Sequence, residues 1–239
     1  MLPKIQHSIY THHLKGIDKK IKFRPYTNRE QKILLIAKEE GLDDRERVLE
    51  AVIQVLNNCI VDNIDVMSLS TFDIEDLFIR IRAKSVGEII TIKRSYNYED
   101  ENGATKTDFV AGDIDINQIE LKMPDVDPVI IVDKSQNIGI KLRYPSIKDV
   151  MEMGDSASDE DLLKRCIVSI FDSEQVYDIT QASDDEINEF IADIEGEPLL
   201  KISQFFKQMP ALSHTKEFYL PKLDKTETVE FQGLADFFI

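Results

Sequence analysis

The sequence predicts an α+β fold: an N-terminal helical layer with an antiparallel β meander, then a helical C-terminal part ending in a β-hairpin. Three observations predict it. Apolar residues recur at helical spacing over 28–83, the period shortens to two over 86–144, and the helical period returns after Pro145 until two short alternating runs close the chain. The chain divides accordingly into an N-terminal α+β domain, 1–144, and a mainly helical domain with a terminal hairpin, 145–239. With 239 residues, 42% hydrophobic and 31% charged, it has the material for one large core or two small ones.

Residues 20–26 alternate polar and apolar as a short strand, and Pro25 argues for its end or a sheet edge because proline cannot donate to the ladder. Thr27 and Glu30 stand at capping-box spacing and open a helix to about 40, with Ile33, Leu34, Ile36 and Ala37 inward. A second helix, about 43–60, places Val48, Val52, Val55, Leu56 and Cys59 on one stripe, and a third, about 71–83, carries Ile74, Leu77, Phe78 and Ile81. The three read as one packed layer. Strands follow at 88–96, 107–111, 117–123, 128–133 and 138–144, with turn signals at Asn102-Gly103 and Asn137. No crossover helix fits between them, so the strands should run antiparallel.

Ser158 opens a predicted helix through about 171, Ser183 with Glu186 caps another through about 194, and Pro198 starts one through about 208. Residues 216–221 and 226–232 read as the last hairpin. No fixed-period repeat is visible.

Composition excludes several function classes. No apolar run is long enough to span a bilayer, and the first residues lack a signal-peptide pattern, so a cytoplasmic product without membrane attachment is expected. A net charge of -16 argues against nucleic acid, whose binders need basic surface to displace counterions. The charge is uneven: residues 1–48 hold 11 Lys and Arg against 7 Asp and Glu, whereas 149–197 hold 2 against 16. Such polarity either orients the subunit against neighbours or simply keeps an acidic face solvated. Cys59 and Cys166, each among apolar residues on a predicted helix, read as buried free thiols.

No chemistry-bearing constellation emerges. Phosphate-cradling glycine motifs are missing, no nucleophile stands in a known signature, and no cofactor or metal is implied. His12-His13 and His214 read as loop residues. The acidic run from Asp155 to Asp161 lacks the glycine and glutamate of a calcium loop and reads as helix capping. The expectation is a protein that is not an enzyme.

Two features favour contacts instead. Between Leu77 and Glu88 a helix passes into a strand with Arg80, Arg82 and Lys84 in five positions, Ser85 behind them and Gly87 at the bend. The bases either cap the helix end or form a partner-contact loop. The second feature is the run from Phe231 through Gly233, Leu234, Phe237 and Phe238 to Ile239. Its phenylalanines either dock on their own core or insert into a partner.

These residues also carry a resemblance. Met1 to Ile5, Lys22-Phe23-Arg24-Pro25-Tyr26-Thr27 with Glu30, Asn57-Asn58-Cys59, Arg82 to Glu88, and Phe231-Gln232-Gly233-Leu234 with Phe237-Phe238 look like the baseplate hub proteins of T4-like phages. The resemblance implies a role in tail morphogenesis: a hub subunit or a hub assembly factor, touching other baseplate hub or tail proteins. A tail-assembly chaperone absent from the virion is the alternative, and a hub-associated peptidoglycan hydrolase a more distant one. The family brings no catalytic residues. What transfers is a set of candidate contact or fold-defining positions: Arg24, Pro25, Arg82, Lys84, Ser85, Gly87, Glu88, Phe231, Gly233, Leu234, Phe237 and Phe238.

Overall fold

The computed structural model describes residues 3, 5–40, 45–153 and 158–233. It begins with a hairpin of β1 (Tyr10–Leu14) and β2 (Lys19–Phe23), then α1 (Asn28–Glu40) and α2 (Arg45–Cys59), which pack on each other. Next come α3 (Thr71–Val86), a long hairpin of β3 (Ile89–Glu99) and β4 (Thr105–Asp115), and the short β5 (Glu120–Lys122). The chain goes on through β6 (Val129–Asp133), β7 (Ile138–Leu142), α4 (Ile147–Met153), α5 (Asp159–Cys166), β8 (Ile167–Phe171) and β9 (Val176–Asp178). After α6 (Asp184–Ala192) and α7 (Glu197–Lys207), it ends in the hairpin of β10 (Ala211–Leu220) and β11 (Lys225–Gln232). The architecture is α+β.

Contacts group these elements into two compact units. One holds residues 1–66, 72–122 and 211–239, and the other 67–71 and 123–210. This partition differs from a division at 144/145, and two pairings explain it. The terminal strand β10 pairs with β5, Ala211 opposite Lys122, while β7 pairs with β8 across the 144/145 position, Ile140 opposite Ile170. Most of the second unit, residues 123–210, is thus a segment inserted between two neighbouring strands of the first.

The strands of 86–144 do not form one meander. β3 and β4 make a two-stranded sheet, β5 joins β10 and β11, and β6 and β7 enter a four-stranded sheet in the order β6-β7-β8-β9. A helical turn at Ile116–Gln118, capped by the Asp115 carboxylate accepting from the Asn117 amide, interrupts the ladder after β4. The helix expected through 171 stops at Cys166, because Ile167-Val168-Ser169-Ile170-Phe171 is rich in β-branched and aromatic side chains and finds a partner in β7. The first strand, β1, has no counterpart in the sequence-based reading.

Capping follows the sequence closely. Ser158 with Asp161 and Ser183 with Glu186 form reciprocal capping boxes, each serine accepting from the third helical amide while the acid accepts from the serine amide. In the first unit Leu14, Ile21, Leu56, Leu77 and Ile114 are fully buried or nearly so. In the second, Ile130, Ile140, Leu142, Leu163, Ile191 and Phe205 share one core. Both cysteines are buried free thiols, and burial pushes them up to about 11 for Cys59 and about 12 for Cys166.

Candidate contact surface

Arg24 and Pro25 define the fold locally rather than offering a free grip. The Arg24 guanidinium donates to a Glu30 carboxylate oxygen at 2.9 Å and to the Pro25 carbonyl at 2.9 Å, and its backbone amide donates to the Cys59 carbonyl. Glu30 is 4% exposed and also accepts from the Thr27 amide and hydroxyl, at 2.7 and 2.6 Å. Burial alone would raise the Glu30 pKa, but the Arg24 and Thr27 hydrogen bonds hold it down at about 2.

The end of α3 lies against this stretch. The Ser85 hydroxyl donates to the Ile81 carbonyl and accepts from the Tyr26 amide at 2.9 Å, so the structure brings the 24–27 segment and the basic bend together. Arg82 donates to the Gly87 carbonyl at 2.7 Å, closing the helix end. Lys84 pairs with Glu88, which also accepts from the Asn117 side chain at 3.0 Å. That hydrogen bond to Glu88 raises the Lys84 pKa. Gly87 adopts φ 117, which a side chain would resist, although a Cβ there would meet nothing within 4 Å.

The polar groups of the bend are thus engaged within the turn or with the 24–27 segment, and beside the exposed Lys84 the bend also presents apolar side chains. Val86 is 51% exposed and Ile89 is 55% exposed, one on each side of the glycine and its Glu88 neighbour. Along the hairpin that follows, Ile89, Thr91, Lys93 and Ser95 face solvent while Ile90 and Tyr96 are buried. Phe109, opposite Ser95, lies 66% exposed on that same outer face. Residue reasoning passed over Val86, Ile89 and Phe109. The available signal was phase for Ile89 and Phe109, which stand where a solvated strand face should be polar, whereas Val86 ends α3.

Phe231 lies apart from this bend in the pairing scheme: it sits on β11 opposite His214, with its ring 6.3 Å from Phe218 and only 7% exposed, so it is a core residue. Gly233 has φ 68. Leu234, Phe237 and Phe238 lie outside the described residues.

His12, His13 and His214 occupy strands rather than loops. His12, on β1, meets Asp76 at 2.6 Å, and Arg80 meets the same carboxylate at 3.1 Å while donating to the Ile116 and Ile119 carbonyls. Burial would raise the Asp76 pKa, but His12 and Arg80 together lower it. His13 bonds Asp18 at 2.8 Å, and His214 lies within β10 because the strand already begins at Ala211. Among the described residues no group of three or more His, Cys, Asp or Glu is placed to hold a metal ion.

A family model described as T4 bacteriophage base plate protein matches residues 7–239. The chain belongs to this family. No curated protein and no solved structure matches this base plate protein. Among its described residues no helix is long and apolar enough to cross a membrane.

Proposed function

We propose that this base plate protein works at the central hub of the contractile tail, as a hub subunit or hub assembly factor, through protein contacts and without catalysis. The observation that carries the reading is the family match over residues 7–239, which includes every motif that resembles the hub proteins except Met1 to Ile5. The exposed pair Val86 and Ile89 at the bend supports it, because aliphatic side chains held out on an ordered turn suit a partner's pocket. Assembly takes place in the host cytoplasm before the tail is complete. Other hub or tail proteins are the partners, and neither nucleic acid nor membrane is among them.

Mass spectrometry of purified virions tests the assignment: a hub subunit appears at fixed stoichiometry, whereas a tail-assembly chaperone is missing. Val86→Asp tests the bend. It should leave Tm unchanged and abolish co-purification with co-expressed hub proteins; unchanged co-purification removes the bend from the contact surface. Leu234, Phe237 and Phe238 are proposed as further anchors. Deleting 234–239 should likewise spare Tm and block assembly, and a large fall in Tm would place them in the core instead.

A further inference from the structure

The Arg24 arrangement occurs a second time. Arg143 donates to Asp149 at 2.6 Å and to the carbonyl of the next residue, Tyr144, at 3.2 Å. Asp149 accepts from the amide and hydroxyl of Ser146, at 2.8 and 2.6 Å, as Glu30 does from Thr27. The Arg143 amide donates to the Cys166 carbonyl at 2.9 Å, the same length as the bond from Arg24 to Cys59. Burial opposed by the arginine and serine hydrogen bonds leaves the Asp149 pKa at about 2, as for Glu30.

The match extends outward from the arginine. β1 and β2, and likewise β6 and β7, are five-residue strands joined by four residues, with the fourth in the left-handed region: Asp18 at φ 48 and Asn137 at φ 54. From Leu14 to Glu30 and from Asp133 to Asp149 every position corresponds without a gap. Ile21 and Ile140 are both fully buried, and Phe23 and Leu142 are both 2% exposed. Each arginine precedes a capped helix and then a second helix ending on a buried cysteine. The residue after each cysteine returns to the second hairpin strand, Ile60 opposite Phe23 and Ile167 opposite Leu142.

We infer that the chain contains one structural module twice, residues 10–60 and 129–167, each closed by an arginine that ties hairpin, helix start and cysteine carbonyl together. The copies differ where a frame tolerates change. β6 carries a bulge between Ile131 and Asp133, and α4 and α5 span 7 and 8 residues where α1 and α2 span 13 and 15. The frame goes beyond the contact reading and does not depend on it.

Hydrogen exchange on the full chain tests the inference through Arg24→Lys and Arg143→Lys. Lysine keeps the charge but loses the planar fork that reaches carboxylate and carbonyl at once. Arg24→Lys should speed exchange of amides in 47–60 at least tenfold and leave 129–171 unchanged, and Arg143→Lys should do the converse. Silence in either variant, or loosening of both units by one substitution, overturns it. A milder variant covers the case in which these fail to fold. Grafting the first turn onto the second (Ser135→Gly, Gln136→Ile, Asn137→Asp) should preserve Tm and the protection of 129–142, and loss of that protection equally counts against a shared module.

Discussion

Glu30 and Asp149 are carboxylates almost hidden from water yet held ionised by arginine and by capping hydrogen bonds. Their folded pKa values lie below those of an unfolded carboxylate, so the stability they contribute is complete above the unfolded values and disappears as pH falls through the folded ones. Tm should therefore decline from about pH 4.5 to about pH 2. Glu30→Gln should flatten the part of that decline that Glu30 causes and cost about 1–2 kcal/mol at neutral pH, measured by urea unfolding. A variant with the wild-type pH slope would show that Glu30 is not the titrating group. The sequence announced Thr27 and Glu30 as a cap, because that spacing is local. It could not announce Arg24 as the partner of Glu30 and Cys59, since a hydrogen bond spanning 35 residues leaves no local trace. The second copy was hidden for a related reason: over the 17 matched positions only Lys15/Lys134, Ile21/Ile140, Lys22/Lys141 and Arg24/Arg143 are identical, too few to register as a repeat.

At the scale of elements, helices with caps and turns with asparagine–glycine or positive-φ signals were legible, and boundaries set by tertiary pairing were not. The segment 158–171 shows why. Leu162, Cys166 and Ile170 continue a helical stripe, but from Ile167 onward the β-branched run gains more as the inner partner of β7 than as a further helical turn. Within that ladder Gly139 stands opposite Phe171, whose ring covers it; a Cβ on Gly139 would lie 2.3 Å from the ring. Gly139→Ala should destabilise by about 1–3 kcal/mol through overpacking. Adding Phe171→Leu should recover part of the loss, because the smaller side chain vacates the contested space. Calorimetry of the two single variants and the double one decides the point: strictly additive losses would show that the ring and the glycine do not share that space.

For the whole molecule, the decisive fact is that Lys122 and Ala211 are direct neighbours on β5 and β10 although 88 residues of chain separate them. Two strands paired at their ends need only a two-residue turn to connect them. Replacing residues 123–210 by Asn-Gly should thus leave the first unit able to fold with its own core. Leu69 is 1% exposed, and its carbonyl accepts from the Ile147 amide, so the excision strips its cover and Leu69→Ser should accompany it. The expected product retains the far-ultraviolet signature of mixed α and β structure and unfolds in one cooperative transition. A chain that binds hydrophobic dye and melts without cooperativity would show instead that the first unit draws its stability from the inserted one.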